Sequence, residues 1–346
     1  DQLGDLDEYH ITDGLITKND FGSGSSSFDL QIEQVEDLTL QMDHDSNRLF
    51  YDLNQYNDVE IFGNNGNDQF FNRESVSTTT DVLATTLCER VIFHGGIGLD
   101  ELLLNDFAGT GSGAQHVFDA GSYTYRAVPG GAAQTVTFDS FTLLDLTGSN
   151  TRADEITISV KPLVADFSVA SGGGDDTFIV GGGDLDDSGL MTTGGVTLSA
   201  GSGNDNITFD DRLDIDEVGE TEVYTLGNLT ISKGAASLVY STFESQTLLV
   251  ADRVISGQFN SVPVVNINAV SGFLNSTTIV GGLNRGSTVN VGNGSLNNIA
   301  GTLNLHNSTS VVLNDSTFAT ARTYTLTMAG MTSPRPINYI NCNAMT

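Results

Sequence analysis

Gly95-Gly96-Ile97-Gly98-Leu99-Asp100-Glu101-Leu102-Leu103 is the stretch on which the reading of this chain turns. Glycines admit the left-handed backbone of a tight corner, and Asn and Asp hydrogen-bond such a turn. The apolar residues that follow re-enter a core as a strand. The same succession stands at Gly63-Asn64-Asn65-Gly66-Asn67-Asp68-Gln69-Phe70-Phe71, at Gly172-Gly173-Gly174-Asp175-Asp176-Thr177-Phe178-Ile179-Val180, and at Ala200-Gly201-Ser202-Gly203-Asn204-Asp205-Asn206-Ile207-Thr208-Phe209. A corner that recurs along a chain predicts coils laid on one another. The fold expected is all-β: an elongated parallel β-helix, or β-solenoid.

Asp68 and Asp100 stand 32 residues apart, Asp176 and Asp205 29 apart. Each interval suits one coil, with strands stacked roughly 4.8 Å apart. At about 25–30 residues per coil, roughly a dozen coils would build a rod on the order of 60 Å long.

A longer period of about one hundred residues overlies the corners. Tyr9, Tyr123, Tyr224 and Tyr324 each open an alternating stretch, followed by small residues and a second strand. That second strand carries a bulky pair: Ile32/Val35, Phe138/Phe141, Tyr240/Phe243 and Ile337/Ile340. In the third unit the corners decay, and Ser287 stands where Asp stood. The repeats are read as 1–114, 115–215, 216–315 and a partial fourth at 316–346, in one continuous rod. Helix signals are scarce, and Val76–Arg90 is the one place for a short helix.

Composition narrows the partners. The chain has 346 residues, with 44 acidic against 13 basic ones and a formal charge of −31. Such a surface repels phosphate backbones, which excludes nucleic acid as a partner. No apolar run reaches the roughly 20 residues of a membrane-spanning helix. Cys88 and Cys342 do not make a disulfide framework and read as buried free thiols. The start at Asp1 rather than Met, with no signal peptide in view, reads as a processed product or a segment.

The corners and the strands Gln34-Val35-Glu36-Asp37-Leu38-Thr39-Leu40 and Tyr324-Thr325-Leu326-Thr327 give the chain a family resemblance. It resembles the large, acidic, repeat-built surface proteins of aquatic bacteria, along essentially its whole length. The resemblance implies a parallel β-solenoid at the cell surface or outside the cell. The corners are also similar to the calcium-binding nonapeptides of secreted toxins and proteases. Those stack in tandem, whereas these corners do not, so that calcium geometry cannot form here. Stacking of Asp68 on Asp100 and of Asp176 on Asp205 leaves room for a weak calcium site between each pair, the alternative being a carboxylate that caps the turn.

Other chemistry was weighed against the same background. Carboxylates are paired at Asp175/Asp176, Asp186/Asp187 and Asp210/Asp211, as polysaccharide-cutting β-helices require. Trp is absent, however, and the basic residues Lys18, Lys161, Lys233, Arg90 and Arg126 are dispersed. Solvated loop acids are the default expectation. The histidines at 10, 44, 94, 116 and 306 have no metal-binding spacing. No nucleophile elbow or dinucleotide-binding turn is present, and no cofactor beyond calcium is invited. Asn206, Asn228, Asn275, Asn293, Asn307 and Asn314 open glycosylation sequons.

Neither end carries an atypical capping repeat, so axial stacking into a homo-oligomeric fibre, or onto further repeats of the same polypeptide, is expected. The function expected is therefore a non-catalytic structural one, an extracellular filament, sheath or adhesin. The alternative is a β-helix that binds or cleaves carbohydrate, like a tailspike or a polysaccharide lyase.

Overall fold

The structure, a computed structural model, describes residues 6–12, 14–20, 28–31, 35–72, 83–191, 195–214, 221–252, 261–317, 325–326, 330–332 and 336–342. Ile32 and Tyr324 lie outside the described residues. The chain is all-β and its sheets are dominated by parallel pairing. It divides into two compact units, Asp1–Thr157 with Lys161–Asp176, and Ile158–Val160 with Thr177–Thr346.

In the first unit the chain passes back and forth between two sheets. Asn47–Tyr51, Gln69–Phe71, Glu101–Asn105 and Leu143–Thr147 pair in parallel succession in one sheet. Asp37–Gln41, Asp58–Phe62 and Arg90–His94 do so in the other. The corner spacing read from sequence sets the register, since Phe70 lies opposite Leu102. Apolar residues alternate along each strand and turn inward, where rings from the two sheets meet. Phe70 of one sheet lies 5.3 Å from Phe93 of the other, edge to face.

The second unit repeats the scheme. Thr177–Val180, Asn206–Asp210, Ser245–Leu249, Ser276–Val280 and Thr302–His306 form one parallel ladder. Val264–Ile267, Thr288–Val291 and Ser310–Leu313 belong to the other. Phe178 and Phe243 pack edge to face at 4.9 Å in its core.

The hundred-residue repeat is a three-stranded antiparallel meander set into a parallel ladder, not a two-stranded hairpin. The meanders are Asp7–Thr12, Leu15–Asp20, Phe28–Gln31; Gln115–Asp119, Ser122–Arg126, Gln134–Asp139; Val223–Leu226, Thr230–Lys233, Ala236–Ser241; and Thr325–Leu326, Gly330–Thr332, Ile337–Ile340. Three antiparallel strands restore the starting direction, so the outer strands can still pair in parallel with a neighbouring coil. Asp7–Thr12 pairs so with Asn47–Tyr51, and Gln134–Asp139 with Arg90–His94. Tyr9 and Tyr224 lie on first strands, but Tyr123 lies on the second strand of its meander, so the tyrosine repeat joins unlike positions. The bulky pairs Phe138/Phe141 and Tyr240/Phe243 are buried, whereas Val35 and Ile340 are exposed. The expected short helix is a single turn, Leu83–Thr86.

Corner glycines answer a second need besides backbone conformation. Gly96 has φ +105°, as expected for a tight turn. Gly98 instead lies so near the preceding corner that an added Cβ would stand 1.5 Å from the Gly66 carbonyl oxygen. The corners touch through Ile97 N donating to Asn64 O at 2.7 Å and Gly66 N donating to Ile97 O at 3.0 Å. Gly98→Ala forces these backbones apart, and we expect a loss on the order of 3 kcal/mol, read by denaturant melts, because the obstacle is backbone rather than a movable side chain.

Candidate functional site

The corner aspartates are linked to neighbouring turns through backbone hydrogen bonds. Asp68 Oδ1 accepts Asn47 N at 2.8 Å, and Asp100 Oδ1 accepts Asp68 N at 2.8 Å. Farther along, Asp154 Oδ1 accepts Ala114 N at 2.9 Å and Asp176 Oδ1 accepts Asp154 N at 2.7 Å. In the second unit Glu244 accepts Asp205 N at 2.7 Å. Asp68, Asp100, Asp176 and Asp205 are all buried. The structure thus brings Asp68 and Asp100 together, one cap above the next.

Their second oxygens account for the direction in which their pKa values move. The Oδ2 atoms of Asp68 and Asp100 are buried without a hydrogen-bond partner. Burial, only partly offset by the Asn47 backbone N–H, pushes Asp68 up to about 7, and burial also raises Asp100. The Asp68 carboxyl lies against the first glycine of its own corner. The point where a Gly63 Cβ would stand is 2.3 Å from Gly95 O and 2.7 Å from Asp68 Oδ2. At the decayed corner, the corresponding point on Gly281 is 2.5 Å from Asn307 O and 2.7 Å from Ser287 Oγ. A hydroxyl there takes the place of the carboxyl, and Ser287 Oγ lies 3.2 Å from Ser308 Oγ.

Beside the meanders sit three basic hubs that the sequence reading did not assemble. Lys233, on the middle strand of its meander, gathers the most carboxylates. Its Nζ lies 2.5 Å from Asp186, 2.9 Å from Glu222 and 3.1 Å from Asp211, and also contacts Asp214. Tyr224 donates its hydroxyl to Asp211, whose other oxygen accepts Leu185 N at 2.6 Å. Burial alone would lower the lysine pKa, but Asp211 and then the other carboxylates outweigh it and hold it well above its usual range. Burial pushes Asp211 up to about 7 against the pull of Lys233, and it raises Glu222 as well.

The first unit has a matching hub. Lys18 Nζ lies 2.6 Å from Asp7 and 2.8 Å from Asp43, with Tyr9 donating to Asp43 at 3.3 Å. Tyr9 faces Lys18 across the strands as Tyr224 faces Lys233, and an acid stands two residues before each tyrosine. Beside the second meander the cation is Arg152, from the turn that follows strand Leu143–Thr147. Its Nε lies 2.6 Å from Asp154, and its guanidinium also contacts Asp106. His116 and Arg152 outweigh burial and hold Asp154 down at about 2.

Ion pairs take up three of the six paired acids. Asp186 and Asp211, from different pairs, share Lys233, while Asp210 holds Arg212 at 2.7 Å. Among the described residues, groups of three acidic ligand atoms occur at Asp184/Asp186/Asp211 and at Asp211/Asp214/Glu222. Both include Asp211, which lies against the Lys233 ammonium. Neither includes Asp68, Asp100, Asp176 or Asp205. Of the cysteines, Cys88 is buried as expected and Cys342 is half-buried, and both are free. Asn228, Asn275, Asn293 and Asn314 are exposed, while Asn206 and Asn307 are half-buried. No helix among the described residues is long and apolar enough to cross a membrane.

No protein-family model matches the chain, and searches of curated proteins and of solved structures return no match.

Proposed function

We propose that this chain is a non-catalytic structural protein of the cell surface or extracellular space. In this reading its coils wind as a parallel β-solenoid and extend a filament, sheath or adhesin. Extension proceeds by end-to-end stacking of copies, or of further repeats of the same polypeptide. The observation that carries the reading is the use made of the acids. The carboxylates that a polysaccharide-cleaving centre would need instead cap backbone N–H groups of adjacent coils or surround a buried cation. Replacement of Asp by Ser at a corner of the same geometry supports a holding role for that side chain.

Negative-stain microscopy of the purified chain, paired with light scattering, tests this. Filaments many chain lengths long support it. A monodisperse monomer at high concentration overturns the stacking, and release of reducing sugar from a polysaccharide panel overturns the non-catalytic assignment.

A further inference from the structure

One sheet face of the second unit carries uncharged outward ranks, bordered at one corner by Asp210 with its partner Arg212. Along its ladder, Thr208, Thr247, Thr278 and Asn304 stand side by side in one outward rank. Two positions earlier on their strands, Ser245 and Ser276 stand in a second rank. All six side chains are half-exposed, and none is charged. Lateral hydrogen bonds order the ranks: Asn304 Nδ2 donates to Thr278 Oγ1 at 3.4 Å, and Ser245 Oγ donates to Asn206 at 3.0 Å. The matching face of the first unit carries ion pairs instead, Arg90 with Asp58 and His94 with Asp139, each at 2.8 Å.

We infer that this face of the second unit binds a neutral polysaccharide lying across the strands. Charge selects the occupant first. A chain of −31 repels anionic polymers, while a neutral partner confined to these two ranks leaves the neighbouring Asp210 and Arg212 in water. Hydrogen bonding selects it next. Hydroxyls and amides covered by an apolar surface would lose their water partners at about 1–3 kcal/mol each, so the partner must itself supply donors and acceptors. A peptide strand would satisfy those requirements at a sheet edge rather than on its face. What remains is a polymer whose own hydroxyls recur at close to the strand spacing of about 4.8 Å, which lets one chain meet successive rungs. Each contact is weak, and attachment arises from many rungs acting together. The inference does not rest on filament formation, since a monomer presents the same face.

Co-sedimentation of the full chain with microcrystalline cellulose, chitin or insoluble mannan is the test. Retention on at least one of them, unchanged between low and high salt, is expected. The double variant Thr247→Glu/Thr278→Glu should lower the retained fraction at least tenfold at an unaltered melting temperature. Thr137→Glu, on the charged face of the first unit, should leave it unchanged. Failure to bind any of the three overturns the inference. So does binding that salt abolishes, or binding that the double variant does not weaken. If the double variant melts early, Thr247→Lys and Thr278→Lys tested singly give the same readout. Filaments without polysaccharide retention would sink this inference alone, and retention by monomers would sink the stacking alone.

Discussion

Lys233→Met is expected to lower the stability of the second unit by about 3–5 kcal/mol, because it leaves a buried set of carboxylates without its shared cation. Asp211, Asp214 and Glu222 are buried around the Nζ, and Asp186 closes the group from the surface side. Methionine fills much of the volume of the lysine stem, so the loss reports the missing charge rather than a cavity. Calorimetry should show the transition falling by roughly 10 °C at pH 8. The deficit should narrow at pH 5, where Asp211 takes up a proton and the repulsion eases. Lys161→Met supplies the control, since Lys161 reaches only the Val164 and Ala165 carbonyl oxygens. A shift of less than about 2 °C for Lys233→Met would show that the hub contributes little to the fold.

The protein should grow more stable as the pH falls from 8 toward 5. Asp68 and Asp211 have folded pKa values raised from the ordinary 3.8 to about 7. Between those two values the folded chain binds protons that the unfolded chain has released. Acidification through that window therefore favours the folded state, and the gain is complete near pH 4. Asp43, Asp154 and Asp210 are shifted the other way. Their stabilisation is present above about pH 4 and is lost below it, which places the optimum between roughly pH 4 and 6. A rise in melting temperature on the order of 5 °C between pH 8 and 5.5 is expected. Asp68→Asn should take part of this slope away by stabilising the protein at pH 8 alone. Its amide oxygen still accepts the Asn47 N–H, and the amide carries no charge to bury. A melting temperature that falls steadily from pH 8 to 5.5 would remove the buried-acid account.

Much of this was legible in the chain because it is local. Gly-rich corners ending in Asp and followed by alternating apolar residues announced strands in parallel ladders, and the Asp68-to-Asp100 interval anticipated the pairing of Phe70 with Leu102. The meanders were partly legible: Ala120-Gly121 and Gly234-Ala235 sit at two-residue turns, a hairpin signal that the tyrosine repeat obscured. The acid two residues before Tyr9 and Tyr224, with a lysine nine residues after each tyrosine, was a signature of the hubs. It was missed because Tyr123, in an unlike place, was aligned with them.

The sequence by itself determined the strand class, the corner chemistry and the coil interval, since backbone conformation at glycine and alternation along a strand depend on neighbours a few residues away. Only the tertiary structure decided where the charges go. Asp186, Asp211, Asp214, Glu222 and Lys233 come from separate turns and strands, and the ladder register and the meander fold bring them within one another's reach. Burial there, which no spacing in the chain displays, turns acids that read as solvated into caps and counter-ions.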